Sequence, residues 1–303
     1  MTKPNDMKLD GIAAFLAIAD AGSISEAARR LGLAKSVVSE RLADLERGLD
    51  ARLVQRTTRR LALTEDGHRF LPRARTILHE VAESRAELAE RRQTLVGPLR
   101  LSAPVGFGLL HLGPALYRFL ADHPGIELTL DLDDRFVDAA ADGFDAVVRH
   151  GPIADSRLVA RRLATTRRLL VGAPAYFAAH GTPARVEELR EHRGILYFNR
   201  EADWRFAGED GWTVVRPKAR LRVNNGIVMR DAALAGLGLA LLPTFFVQAE
   251  LRSGALAPVR LGVEAEGAEL HIAYPRARGA SAKLAALTES LRRSFGDGAS
   301  WEA

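Results

Sequence analysis

The chain has 303 residues, of which 47% are hydrophobic, enough to bury real cores and to form two or three domains. Its net charge of +5 is too small to argue for nucleic-acid binding on its own. The absence of cysteine excludes disulfides, thiolate metal sites and a cysteine nucleophile. Nothing in MTKPNDMKLD resembles the apolar core of a signal peptide, and no later run approaches a membrane span, so the expected location is the cytoplasm.

A first helix carries Ile12, Phe15, Leu16 and Ile18. Ser23 followed by Glu26 then predicts a capping box: the hydroxyl accepts an N–H of the first turn while the carboxylate reaches back to the cap. Ala27, Ala28 and Leu31 form an apolar stripe, and Gly32 can take the left-handed conformation that ends a helix. After this tight turn, Val38, Leu42, Leu45 and Leu49 recur at helical spacing and should pack inward. Lys35, Ser36, Val37, Ser39, Glu40 and Arg41 are left to face outward near the start of that helix, the end which in a helix-turn-helix enters the major groove. From Ala51 to Leu63, ARLVQRTTRRLAL groups Arg52, Arg56, Arg59 and Arg60 without a carboxylate between strand-like residues. This predicts a basic β-wing able to neutralise phosphates.

From Leu9 to Gly67 the chain resembles the winged helix-turn-helix of LysR-type transcriptional regulators, through FLAIADAGSISEAARRLGLAKSVVSERLADLE and RLVQRTTRRLALTEDG. The resemblance implies a double-stranded DNA operator contacted by Ser23, Lys35, Ser36, Val37, Ser39, Glu40, Arg41, Arg56, Thr57 and Arg59. Two positions depart from the family pattern. Ala34, at the cap of the recognition helix, has no side-chain acceptor, which costs about 1 kcal/mol. Glu40 stands where a basic residue is frequent; it either accepts from cytosine N4 or is a solvated carboxylate paired with Lys35 or Arg41.

Thr64 to about Leu95 reads as one long charged helix with Leu71, Ala74, Leu78, Val81, Arg85 and Leu88 spaced 3, 4, 3, 4 and 3, the seam of a coiled coil. Arg85 interrupts it, and Pro72 predicts a kink or a late start. The resemblance makes this the linker helix of a homodimer, with homotetramers as the family expectation; the alternative is a helix lying on its own chain. Gly97 and Pro98 mark a hinge.

Beyond the hinge, strands alternate with helices: LRLSAP, a helix over 107–120, IELTLDL, a helix over 134–142, FDAVVRH, RRLLVGAP, a helix over 186–191, GILYF, a hairpin in WRFAGEDGWTVV, ARLRV, a helix over 226–235, LALLP, HIAYP and a helix over 281–295. Such repetition predicts parallel sheets with helices on both faces. RHGPIADSRLVARRL, GAPAYFAAHGTP and NNGIVMRDAALAGLGLALLP resemble the family's effector-binding domain, similar to type 2 periplasmic binding proteins. The fold class expected is therefore α/β: a winged head over 1–66, a linker helix over 67–96, and an effector domain over 97–303. Lobe I would cover about 97–161 and 268–303, and lobe II about 162–267, with crossings near Val159–Ala164 and Glu264–Glu269.

In open α/β sheets ligands bind at the carboxyl ends of strands, here Ser102–Gly106, Arg149–Gly151, Tyr197–Asn199 and Asn224–Gly226. Carried over from the family, Ser102, Ala103, Pro104, Val105, Arg149, His150, Gly151, Phe198 and Asn224 are the candidate effector contacts. Ser102 either caps the next helix, touches the ligand, or does both; Arg149 is a ligand group or an ion-pair partner of Asp131 or Asp133; His150 is a surface or core histidine or a ligand group; Asn224 is a cap or a contact; Phe198 fits core better than ligand wall. Arginine and helix N-termini point weakly to an organic or aromatic acid. No cofactor, metal or catalytic residue is expected: the eight histidines contain no i, i+4 pair, and HExxH, GxSxG and GxxxxGK are absent. Gly106-x-Gly108 and Gly236-x-Gly238 are incomplete dinucleotide fingerprints. The competing readings are a small-molecule binding protein or an enzyme on the same two-lobed scaffold.

Overall fold

A computed structural model describes the chain except residues 1–6, 57–60, 91–94, 136–138, 140–141, 154, 200–203, 209–210, 280, 297–300 and 302–303. Two compact units result. The first holds Met1–Leu99 with Gly125–Glu127 and Asp138–Phe144; the second holds the remainder.

In the first unit, α1 (Leu9–Ala21), α2 (Ile24–Leu31) and α3 (Lys35–Leu49) surround one core. Ile12, Phe15, Ile18, Ala27, Val38, Leu42 and Leu45 are buried in it, with Leu16, Leu31 and Leu49 packed on its margin. Ser23 caps α2 by accepting from the Glu26 N–H at 3.1 Å. The second half of the expected capping box is missing, because the Glu26 carboxylate instead takes Arg29 at 2.6 Å and Arg30 at 3.3 Å; two guanidiniums on its own helix outcompete one amide. Gly32 ends α2 at φ 64°. The wing is the antiparallel pair β1 (Val54–Arg56) and β2 (Leu61–Leu63). Glu46 of α3 ties it down, accepting from the Leu53 and Val54 N–H groups at 2.8 and 3.0 Å.

Helix α4 spans Glu65–Glu90 and contains Pro72. It does not start late: Thr64 caps it, accepting from the Gly67 N–H at 2.9 Å. The coiled-coil seam is corrected at Ala74, and its first-half leucines are shared with the head. Ala74 is buried in the head's own core and Leu71 and Leu78 pack against it, as do Phe70 and Ile77, while Arg75 pairs with Asp20 of α1 at 2.6 Å. A 3–4 spacing marks an apolar stripe but not whose surface covers it.

In chain order there follow β3 (Gly97–Ala103), α5 (Val105–Phe107), a wide turn over Gly108–Leu112, α6 (Gly113–Asp122), β4 (Ile126–Leu132), β5 (Ala146–His150), β6 (Leu158–Thr166), β7 (Arg168–Gly172), α7 (Pro174–His180), β8 (Arg193–Tyr197), β9 (Trp204–Gly208), β10 (Gly211–Val215), β11 (Lys218–Val223), α8 (Gly226–Leu234), β12 (Leu239–Pro243), α9 (Thr244–Ser253), β13 (Ala257–Pro258), β14 (Ala268–Pro275) and α10 (Ala282–Phe295). One five-stranded sheet has the order β4-β3-β5-β14-β6 and the other β11-β8-β12-β7-β13. The sheets are mixed rather than parallel. β14 is antiparallel to β5 and β6, and β12 to β7, because the chain changes lobe through single extended segments instead of helical crossovers. β6 stays in the first sheet as far as Thr166, paired with β14 along its length, so the first crossing falls at Arg167, beyond the expected Val159–Ala164. Most of the helix expected over 134–142 lies outside the described residues. Among the described residues no helix is long and apolar enough to cross a membrane.

Candidate DNA-reading helix and effector pocket

Helix α3 buries Val38, Leu42 and Leu45, which by helical periodicity turns its other face outward. Lys35, Ser36 and Glu40 are exposed, and Val37, Ser39 and Arg41 are half-buried. Arg41 is turned back onto α1, its Nη2 lying 2.8 Å from Asp10 Oδ2; Glu40 therefore has neither expected partner, and among the described residues it forms no ion pair. Ala34 makes no side-chain capping bond, as its methyl group requires. The Ser23 hydroxyl is occupied as a cap acceptor. Arg56 closes β1, and only its backbone is described; Thr57 and Arg59 lie outside the described residues, as does Arg60.

In the second unit a cavity of about 310 Å³ opens between the two sheets. Of the residues expected there, Pro104, Arg149, His150, Gly151 and Asn224 line it, and Ser102, Ala103, Val105 and Phe198 do not. Each miss has a physical reason. Ser102 is wholly buried and neither caps a helix nor meets the cavity; its Oγ accepts from Arg149 Nη2 at 2.8 Å. Ala103 is likewise sealed in the core of β3. Val105 contributes its N–H, which donates to Asp134 at 3.0 Å. Phe198 is not core but 54% exposed; side chains alternate along an extended chain, so Tyr197 and Asn199 face the cavity where Phe198 faces away. The cap of α8 is Asn225, whose Oδ1 accepts from Ile227 and Val228 at 3.0 and 3.1 Å, leaving Asn224 free to line the cavity.

Arg149 donates to the Val148 carbonyl at 2.9 Å and to Ser102. Burial lowers its pKa against the pull of Asp133, Asp134 and Asp131, and no carboxylate is hydrogen-bonded to it among the described residues. Asp133 is engaged by Arg135 at 2.6 Å, which lowers its pKa. Asp134 accepts from Asn225 Nδ2 at 2.6 Å, and its backbone carbonyl accepts from Asn199 Nδ2 at 2.8 Å, so one residue holds both lobes. The His150 ring lies edge-on to Phe107 at 5.0 Å and stacked on Phe245 at 4.9 Å. Its Nε2 is enclosed without a hydrogen-bond partner among the described residues, and burial, with the nearby His111, Arg149 and His271, pushes its pKa down to about 3. His111 Nε2 donates to the Phe245 carbonyl at 3.2 Å.

Sequence reasoning missed Phe107, Arg168, Met229, Phe245 and Phe246 as lining residues, and within the expected strand end Tyr197–Asn199 it singled out Phe198 instead of Tyr197 and Asn199. For Tyr197 and Asn199 the period-two alternation was the available signal. Arg168 sits at the start of a strand, and the rule of carboxyl ends fails there because β7 runs against its neighbour. Two glycines of the incomplete nucleotide-loop patterns serve packing: a Cβ at Gly106 would fall 2.5 Å from the Phe246 ring, and one at Gly238 2.5 Å from the Arg193 carbonyl oxygen.

A winged helix-turn-helix joined to a two-lobed domain with an enclosed pocket defines a ligand-responsive DNA-binding regulator. Residues 9–68 match the family model of the bacterial regulatory helix-turn-helix proteins of the lysR family, and residues 92–296 that of the LysR substrate binding domain. The chain is 32% identical over 292 residues to the HTH-type transcriptional regulator DmlR of Escherichia coli, covering 95% of each protein. Among solved structures it is similar to CrgA, a LysR-type transcriptional regulator from Neisseria meningitidis (27% identity, TM-score 0.61, covering 95% of this chain and 99% of that one). It is also similar to the Vibrio cholerae virulence activator AphB (26% identity, TM-score 0.61, covering 94% and 98%). The chain belongs to the LysR family: it is a DNA-binding transcriptional regulator with an effector-binding domain.

Proposed function

We propose that the effector is a small organic or aromatic carboxylic acid, its carboxylate on Arg149 and its apolar body among Phe107, Phe245, Phe246 and Met229. The supporting observation is the half-enclosed Arg149 guanidinium, hydrogen-bonded among the described residues only to a hydroxyl and a carbonyl, at an otherwise largely apolar cavity. An anion entering there gains a charge-assisted pair that the protein does not itself supply. The pocket binds and releases this ligand unchanged.

On the DNA side, the base-reading edge is Lys35, Ser36, Val37, Ser39 and Glu40. Arg41 and Ser23 flank it, and Arg56, Thr57 and Arg59 grip phosphates from the wing. The working division is a head over 1–66, a linker helix over 67–96 and an effector domain over 97–303, in a cytoplasmic homodimer joined through α4 that pairs into tetramers. Two-fold symmetry then sets half-sites a helical turn, or a multiple of one, apart. Effector binding would close the lobes and change the DNA bend.

A thermal-shift screen of benzoates and short carboxylic acids against their amides tests the effector class. An acid at a hundred times its dissociation constant adds about 2.7 kcal/mol of stability. The matching amide should add none, and Arg149→Gln should abolish the acid's effect; equal shifts from acid and amide would remove the carboxylate reading.

A further inference from the structure

We propose that Glu40 reads a cytosine, so that each operator half-site carries one required C·G pair opposite the middle of α3's outer face. This rests on the DNA-binding reading of α3 and adds a base assignment that family membership does not supply.

The geometry comes from the helix itself. With Val38, Leu42 and Leu45 buried, the line diametrically opposite consists of Ser36, Glu40, Ala43 and Arg47, all exposed. Arg47 is paired with Asp44. Ser36 and Ala43, about one turn to either side of Glu40, are small and uncharged. Glu40 is thus the longest and the sole acidic side chain on the outermost line of the first three turns. Of the neighbouring cations, Arg41 is paired with Asp10, and Arg29 and Arg30 of α2 with Glu26.

A helix laid in the major groove presents its outermost line to the base edges and its flanks to the two phosphate strands. A carboxylate on a flank would meet only like charge, whereas on the outermost line it meets bases, toward which an ionised carboxylate can only accept. Guanine offers it two acceptors, thymine an acceptor and a methyl group, and adenine a donor flanked by the N7 acceptor. Cytosine alone offers the N4 donor with no acceptor beside it. The same charge repels phosphates on unregistered DNA, so Glu40 weakens non-specific binding while its cytosine contact strengthens the specific complex.

The test is selection from randomised duplexes by the full-length protein and its Glu40→Gln and Glu40→Ala variants, followed by competition with all four base pairs at the selected position. Because Glu40 is exposed, unchanged thermal unfolding should certify both variants as folded. Wild type should select one C·G pair per half-site and lose roughly ten- to a hundred-fold in affinity when it is replaced. Glu40→Gln should move the preference there to A·T, since an amide can bond adenine N6 and N7 together. Glu40→Ala should lose preference at that position alone and hold random DNA more tightly. Retention of the wild-type preference at every position by Glu40→Ala would overturn the assignment. Failure of wild type to select any sequence would overturn the DNA-binding reading beneath it.

Discussion

The head and the effector domain solve opposite problems with their polar residues. In the head the side chains proposed to read bases come from one short helix segment, Lys35 to Arg41, and lie on the surface left over once Val38, Leu42 and Leu45 are buried. In the effector domain they come from segments as far apart as Pro104 and Ala268, and several are enclosed. A groove of DNA supplies its own walls, so its reader need only be exposed and rigid. A small acid brings no walls, and the protein must exclude water around it before a guanidinium becomes a strong partner. Substitutions in the reading face should therefore alter binding with little effect on folding, whereas those around the pocket should alter both.

Phe15→Ala should give the largest effect. Phe15 is fully buried with its ring 5.5 Å from Phe70, and truncation should cost about 3–5 kcal/mol. DNA binding should be lost with an early-melting head, while acid-induced thermal shifts of the effector domain persist; one shared unfolding transition would show that the two regions are not separable. Next comes the pH response of the pocket. An unfolded histidine takes up its proton near pH 6.5, while His150 in the fold refuses it down to about 3. Between those values the unfolded state holds more protons. Stability is complete above pH 6.5 and should fall by about 1.4 kcal/mol per pH unit as the pH drops through the window. Calorimetry of His150→Phe from pH 6.5 to 4 should show a slope shallower by up to that amount; an identical slope would remove His150 as its source.

The wing gives a smaller and different signal. Arg56→Ala with Arg59→Ala should weaken binding to all sequences alike, and the log–log salt dependence should flatten by about 1.8, two phosphate contacts at ~0.9 each. A change in base preference instead would place these residues among the readers. Smallest of all, Ala34→Ser should supply the missing acceptor at the start of α3 and raise the head's stability by about 1 kcal/mol, read as the midpoint of chemical denaturation.

Legibility followed the same division. The head's helices, turn, wing and outward face were all readable, because capping, a left-handed glycine and 3.6-residue periodicity act within a few residues of one another. Glu46's hold on the wing was not, since nothing local distinguishes it from a surface carboxylate. In the effector domain the strands beginning at Gly97, Ile126, Ala146 and Leu239 were legible from their apolar runs, but α7 and α9 were not anticipated. The pocket was half legible. Strand ends located Arg149, His150 and Asn224, but Phe198 was chosen where the alternation of β8 favours Tyr197, and Arg168 was invisible while the sheets were taken as parallel.

By itself the amino-acid order determined the local grammar of this regulator: where helices start and stop, which face of α3 is polar, and where arginines cluster. Only the tertiary structure decided that Leu71, Ala74 and Leu78 serve the head's own core, that Ser102 steadies Arg149 rather than a ligand, and that Phe107, Phe245 and Phe246 meet around one cavity. The physical reason is range. Backbone hydrogen bonds and helical periodicity are satisfied between near neighbours, whereas burial and the partners of a charge depend on which distant surface arrives to cover them.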